Sequence, residues 1–487
     1  MGVRVPPRLL NLKKLVYHDA MPGVVTMKCL TRRNFCAGLT GTLWASTLAR
    51  TSPLAARLRW RAQQAREKLI IRSIEPVVIY PPYHEYHRQT LFRYHGQNIQ
   101  ARTVYRVSTN LGLIGYGERW GKNSLTDADF KPYLGTSPFD WLGHRKSLFL
   151  NMAFYDLMGK YLDIPTWKLL GPQVRKRIPI AFWTVSQTPE AMATEVRQAA
   201  KAGYRWLKYH VDEVQNVIAQ TRSMQAVAPS EFRVHYDFNA NAQLEDVLPV
   251  LKKLETFPVA GRFEDVIVAS DRAGWKKIRQ QIKRPILGHH VPLDFITAGL
   301  LDGYMASHAA IGNNIKIAGL AEETQVPIML QQCGGTLNQA FLAHQAAVFP
   351  MATIDHVNLC RLWEKDVTDK LMPVRNGHVD LPDGPGLGIT INEEKLTEMA
   401  KRPPPTYQPF LVQIRYQDGP TIYCRHNPDL PGATDNLRFL GRLLGKNIPG
   451  PKPAYDNPVL TRLLDANNEK DFQRLWQATA NGPLVVD

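Results

Sequence analysis

The sequence predicts an α/β fold, a (β/α) TIM-type barrel with an N-terminal α+β capping domain and a C-terminal extension, on three observations. From Ile180 onward short apolar strands alternate with amphipathic helices and no long loop intervenes, the pattern of a parallel sheet covered by helices. Residues able to hold a metal or move a proton recur at the predicted strand ends: Lys208 with His210, Asp237 with Asn239, Glu264 with Asp265, and His289 with His290. Asp237 to Glu264 is 27 residues and Glu264 to His290 is 26, one strand and helix each, so equivalent strand ends repeat in register. In a parallel barrel those ends converge on one face, where such folds keep their chemistry.

Taken in order, the chain starts with a basic leader. Residues 1 to 68 hold 13 Lys or Arg against Asp19 and Glu67, a net of +11, so only +6 of the total +17 lies in the other 419 residues. The body is mildly basic, and the charge gives no ground for a nucleic-acid partner. Thr31-Arg32-Arg33-Asn34-Phe35 precedes an uncharged run from Cys36 to Ala49 that Arg50 closes, an arrangement resembling a twin-arginine export signal. The apolar run is shorter than the ~20 residues a membrane span needs. The resemblance implies the twin-arginine translocation machinery as a partner, a periplasmic location, natural initiation at Met1 or Met27, and a leader of residues 1–56. Cys29 and Cys36 lie in it, and Cys333, Cys360 and Cys424 are too far apart for a disulfide framework or a zinc ribbon, although one pair can form.

Residues 69–178 read as the capping domain. Leu69 to Gly121 alternates apolar and polar residues around turn signals, an antiparallel strand set, and a helical stretch runs from Trp141 through Lys160 into Thr166 to Leu170, ended by Gly171-Pro172. Barrel residues 179–385 carry strands at Ile180 to Thr184, Tyr204 to Tyr209, Phe232 to Asp237, Val259 to Glu264, Pro285 to Gly288, Gly303 to Ser307, Val326 to Gln331 and Ala352 to Val357. The helices between them are Pro189 to Ala202, Val214 to Val227, Leu244 to Thr256, Arg272 to Ile282, Pro292 to Leu301, Gly312 to Thr324 and Leu337 to Phe349. An open doubly wound sheet is disfavoured, since no strand leads into a GxGxxG or a P-loop. Residues 386–401 return to the capping domain. The extension, 402–487, follows Pro403 to Pro405 and holds a hairpin around Asp418-Gly419-Pro420 and helical patches at Asn436 to Leu444 and Glu469 to Thr479.

From Leu69 to Leu396 the chain resembles the enolase superfamily, in its mandelate racemase and muconate lactonising enzyme branch. The matching segments occur in order: GLIGYGERW, NMAFYDLMGKYLDIPTWKLLG, Glu264 with Asp271, and PDGPGLGITINEEKL. The resemblance implies a small-molecule carboxylate substrate bound on a divalent metal, Mg²⁺ by family habit, and removal of the proton beside that carboxylate. Such chemistry needs a dication against the developing enediolate and a base near the carbon. Asp237 and Glu264 match the family's first two metal ligands, and Asn239 its neighbouring position.

Two departures qualify the resemblance. The third ligand, normally a carboxylate, is replaced by His289 or His290, which lowers the negative charge and shifts preference toward Zn²⁺, Mn²⁺ or Fe²⁺. The usual catalytic lysine is replaced by His210, beside Lys208; a histidine serves as base near neutral pH without desolvation. On the opposite wall, Ser307 and Gln331 stand at the sixth and seventh strand ends, and neither is a base. His308 should face the helices unless its strand is bulged. Two-base racemisation is therefore disfavoured, and a one-base dehydration of a hydroxylated or sugar-derived acid is expected, with a catalytically silent carboxylate-binding protein or an isomerase as the alternatives. Substrate contacts are expected from Asn239, Ser307, Gln331, and Tyr83 and His84 of the capping domain, and from the Gly334-Gly335 turn, whose backbone amides could meet an anion. The extension is a candidate for homo-oligomer contacts.

Overall fold

A computed structural model of the chain describes residues 67–88, 91, 100–211, 216–240, 242–404, 409–425 and 459–487. The leader and the helical patch at Asn436 to Leu444 lie outside the described residues. The described part opens with an antiparallel sheet of β1 (Ile71–Ile79), β2 (Arg102–Thr109) and β3 (Ile114–Trp120). Helix α1 (Leu148–Leu162) lies against β3 so closely that a Cβ at Gly117 would overlap the Phe149 carbonyl.

This helix starts later than the sequence suggests. Gly143 takes φ of 65°, a conformation that breaks a helix, and Ser147 caps the new start by accepting the Leu150 N–H at 3.2 Å. Trp141 ends a separate 3₁₀ turn, Pro138–Trp141. At the far end Asp163 turns left-handed with φ of 55°, so Thr166–Leu169 is another 3₁₀ turn rather than a continuation.

The barrel follows as β4 (Arg177–Val185), α2 (Pro189–Lys201), β5 (Trp206–His210), α3 (Val217–Val227), β6 (Arg233–Asp237), α4 (Leu244–Leu254), β7 (Ala260–Glu264) and α5 (Arg272–Gln281). It continues as β8 (Ile286–Gly288), α6 (Asp294–Thr297), β9 (Gly303–Ser307), α7 (Ile311–Thr324), β10 (Ile328–Gln332), α8 (Thr336–Ala346) and β11 (His356–Asn358). All eight strands are parallel, and β11 pairs with β4 through His356 and Ile180, which closes the cylinder. Ala181, Leu287, Met305, Met329 and Val357 belong to one buried cluster inside it. Two elements are shorter than expected. Helix α6 has four residues because Gly299, at φ of 64°, ends it directly after Ala298, and β11 pairs only from His356.

A short hairpin, β12 (Val374–Arg375) and β13 (His378–Asp380), extends β4, and α9 (Glu393–Ala400) follows. The segment before α9 meets the capping elements: Asp156 of α1 accepts the Leu387 N–H at 3.0 Å, and Arg106 of β2 pairs with Glu393 at 3.3 Å. Last come β14 (Leu411–Tyr416), β15 (Thr421–Arg425), β16 (Val459–Leu464), α10 (Phe472–Ala478) and β17 (Leu484–Val486), a four-stranded sheet in the order β16-β14-β15-β17. β14 and β15 are the hairpin expected around Asp418-Gly419-Pro420. Cys333, Cys360 and Cys424 are free thiols. No helix among the described residues is long and apolar enough to cross a membrane.

One buried ion cluster ties the capping sheet to the barrel. Arg102 of β2 donates to Glu118 of β3 and, at 2.8 Å, to Asp366 beyond β11. The first turn of α8 supplies the rest: the Thr336 amide donates to Asp366 at 2.7 Å and the Asn338 amide to Glu118 at 2.9 Å. The amides of Thr336 and Asn338, which follow the Gly334-Gly335 turn, thus meet internal carboxylates, as a helix N-terminus favours.

Two predictions follow from burial. Replacing Arg102 by Met strands two buried carboxylates and should cost about 3–5 kcal/mol, read from urea unfolding. Burial also depresses two barrel histidines, His356 to about 3 and His344 to about 4, so both are neutral in the folded protein. Each takes up a proton on unfolding below its ordinary value near 6.5, so stability is full above that pH and falls as pH drops toward 4. Each histidine contributes a slope of up to about 1.4 kcal/mol per pH unit, and urea midpoints at pH 7 and pH 5 measure it.

Candidate active site

Strand register assembles the site. His210 of β5 lies opposite Asp237 of β6, Asp237 opposite Glu264 of β7, and Glu264 opposite Leu287 of β8, so the strands deliver these groups at one level. Alternation along each strand then places Lys208, His235 and Arg262 one step deeper on the same inward face. Backbone strain gathers at the same level. Asn239, Ala240, Asp265 and His308, all just beyond strand ends, have φ between 42° and 55°. For side chains other than glycine such conformations cost on the order of 1–3 kcal/mol and persist where surrounding contacts enforce them.

Lys208 is fully buried at the centre. Its Nζ is 3.1 Å from Asp237 Oδ2, 2.8 Å from Glu264 Oε2 and 2.8 Å from Gln331 Oε1. Burial alone would depress its pKa, but Asp237 and Glu264 outweigh that and hold it above the usual lysine value. Glu264 shows the converse. Burial would raise it, while the Lys208 charge and hydrogen bonding from His235 and His289 keep it ionised well below the ordinary range.

His235 and Arg262 are site residues that sequence reading passed over. His235 Nε2 is 2.7 Å from Glu264 Oε2, and its Nδ1 accepts from Arg262 Nε at 3.0 Å, which fixes the neutral tautomer protonated on Nε2. Burial and then the Arg262 charge push its pKa to about 3. The Arg262 guanidinium stacks on Trp206 at 3.9 Å and pairs with Asp355 at 3.2 Å. The available signal was period-two spacing: each lies two residues before a carboxylate already singled out.

The two consecutive histidines divide their roles. His289 Nδ1 is 3.3 Å from Glu264 Oε1, and His290 Nδ1 is 2.7 Å from Asp265 Oδ2, whose hydrogen bond raises the His290 pKa. Two groups of donor atoms therefore share His289: Asp237 with Glu264 and His289, and Asp265 with His289 and His290. The first is almost wholly buried. Its two carboxylates share one ammonium, so a dry site retains excess negative charge, and two oxygen donors with one imidazole suit a divalent cation. The residues present thus fit a divalent metal, with Lys208 as an internal cation competing for the same oxygens.

The remaining expected residues fall as follows. His210 Nε2 is 3.5 Å from Asp237 Oδ2, and its ring meets Trp183 edge-on at 5.0 Å. Asn239 turns back on Asp237, donating its backbone N–H to Oδ1 at 3.0 Å. Ser307 keeps its place at the end of β9, with Oγ buried and without a hydrogen-bond partner among the described residues. Tyr83 is buried and bridges to Trp363, and the His84 N–H donates to the Leu362 carbonyl at 3.2 Å; both sit against the segment after β11. His308 departs from expectation. Strand β9 stops at Ser307, and the left-handed turn at His308 cancels the alternation that would aim it at the helices. It lines a cavity of about 660 Å³ with His289, His290, Met305 and Ser307, and its Nε2 is 3.4 Å from Cys333 Sγ.

Comparison with known proteins agrees with this geometry. Residues 191–395 match the family model for the enolase C-terminal domain-like fold. Over 395 residues the chain is 24% identical to a D-gluconate dehydratase of Thermoproteus tenax, covering 68% of this chain and 74% of that one. It is also 24% identical to a D-Ala-D/L-Ala epimerase of Cytophaga hutchinsonii, covering 63% and 92%. A solved mandelate racemase/muconate lactonizing family protein from Azoarcus sp. EbN1 shares the fold, with a TM-score of 0.58 at 21% identity over 68% of this chain and 98% of that one.

The charge balance around Lys208 yields a prediction. In Lys208→Met the two carboxylates lose their ammonium, so the metal-free variant should lose about 3–5 kcal/mol of stability. Added Mn²⁺ should recover a large part of it and bind roughly tenfold or more tightly than to wild type. Thermal melts and calorimetry with and without Mn²⁺ check both effects.

Proposed function

The chain belongs to the enolase superfamily, in its mandelate racemase and muconate lactonising enzyme branch, and from that premise we propose that it dehydrates a hydroxylated or sugar-derived acid by first removing the proton beside the carboxylate. The observation that carries this reading is the buried set of Lys208, Asp237, Glu264 and His289 with His210 at its rim. Asp237, Glu264 and His289 are the residues to hold a divalent cation. When bound, the cation supplies the positive charge that steadies an enediolate.

The chain's own groups account for the remaining steps. Lys208, fixed by three partners, keeps Asp237 and Glu264 ionised and aimed at the cation site. His210 takes the α-proton, and Asp237, 3.5 Å from its ring, stabilises the imidazolium that results. As the C–H bond breaks, its electron pair moves toward the carboxylate and then returns to expel the β-hydroxyl. The same imidazolium gives its proton to that hydroxyl, which leaves as water, and the enol product becomes a 2-keto acid. Trp183 walls one side of His210.

A second reading draws support from His308. It brings to the cavity an imidazole that Ser307 and Gln331 do not supply, and a second base is what proton removal on one face and return on the other, as in an isomerase, requires. The leader's Thr31 to Phe35 segment supports export to the periplasm through the twin-arginine machinery.

The test is exchange of the α-proton in D₂O across a panel of sugar acids with Mg²⁺ or Mn²⁺ present. Wild type should wash deuterium into one substrate and release a 2-keto acid, and His210→Gln should lower the rate by roughly 10²–10⁴. Exchange with inversion and no keto acid favours the isomerase, and tight binding of an acid without exchange favours a silent carboxylate-binding protein.

A further inference from the structure

The cavity beside the site continues past the strand ends. Beyond His289, Ser307 and His308 it is lined by Arg145, from the loop before α1, and by Lys316, in the second turn of α7. At about 660 Å³ it falls within the roughly 300–1,000 Å³ typical of small-molecule sites. Its lining contains two permanent cations and no carboxylate. Neither Arg145 nor Lys316 has an ion-pair partner among the described residues. The two cations come from separate elements that the fold pins together: the Gly312 N–H donates to the His144 carbonyl at 3.3 Å, and a Cβ at Gly312 would stand 2.7 Å from Arg145 Cγ. Both cations line one cavity, so an anion bound there would meet both.

A second, independent feature points the same way. Ser307 Oγ is buried at the wall of this cavity and has no hydrogen-bond partner among the described residues. A buried hydroxyl left unpaired costs free energy, and a ligand oxygen would satisfy it.

We propose that this lobe is a subsite for a second anionic group, so that the substrate is an acid carrying a further carboxylate or a phosphate ester at the end remote from the reacting carbon. The proposal rests on the reading that a carboxylate binds at the strand ends. There the first carboxylate meets the cation that Asp237, Glu264 and His289 would hold, a mid-chain hydroxyl meets Ser307, and the distal anion meets Arg145 and Lys316. Both cations are exposed, so the added affinity is moderate and falls with salt.

Calorimetry on the full chain with Mn²⁺ tests it, using three probes of equal carbon number: an aldonic acid, the aldaric acid with carboxylates at both ends, and the aldonic acid phosphorylated at its far end. One of the two doubly anionic probes should bind on the order of tenfold more tightly than the aldonic acid, and which one names the group. That preference should shrink on raising the salt and vanish in the Arg145→Gln, Lys316→Gln double variant, while affinity for the aldonic acid is unchanged. Equal affinity for all three, or a preference that survives both salt and the double variant, overturns the subsite and leaves the dehydratase reading standing. Failure of every acid to bind overturns both. The salt titration uses wild type alone, so the subsite stays open to refutation if the double variant does not fold.

Discussion

Lys208 is a buried ammonium gripped by oxygens from three other strands, Asp237 on β6, Glu264 on β7 and Gln331 on β10, and most of the site is arranged around that contact. Burying a cation costs several kcal/mol unless its partners are in place. The pairing therefore requires β5, β6, β7 and β10 to hold their register, since a shift of one residue on any of those strands would turn its polar group out of the barrel. Closure through β11 and β4 provides that constraint. The geometry of the cylinder and the electrostatics of its centre support each other.

Around this pair the remaining groups form layers. His235 and Arg262 lie one step deeper and aim Glu264, with Trp206 and Asp355 anchoring Arg262 at the far side. His210 and His289 lie at the rim, where polar ligands can reach them. The strained residues after β6, β7 and β9 lie one level further out. The strain at the rim is held in place by the paired charges in the layers beneath.

The capping sheet is held to this cylinder by Arg102, Glu118 and Asp366 and by the first turn of α8. The loop carrying His144 and Arg145 is fixed to α7 by the Gly312 contact. Elements distant in sequence thereby complete the wall of the cavity. A barrel alone would present its strand ends to water, and the docked cap walls them at the sides.

The sequence by itself determined the barrel, because strand and helix periodicity are local and repeated eight times, and because the 27- and 26-residue spacings placed Asp237, Glu264 and the histidine pair at equivalent strand ends. It also singled out Lys208 and His210, whose side chains belong to the same strand face. The tertiary structure decided what depends on φ and on distance. It separated His289, near Glu264, from His290, near Asp265, whose carboxylate accepts both histidine amides and holds the His290 ring. It turned His308 into the cavity through the left-handed residue directly after β9, and it gave the Thr336 and Asn338 amides, just after Gly334-Gly335, to internal carboxylates. It brought Arg145 beside α7 across more than 160 residues of chain. Periodicity reports which face a residue occupies, whereas a single left-handed turn or a docking contact between distant segments leaves no period to read.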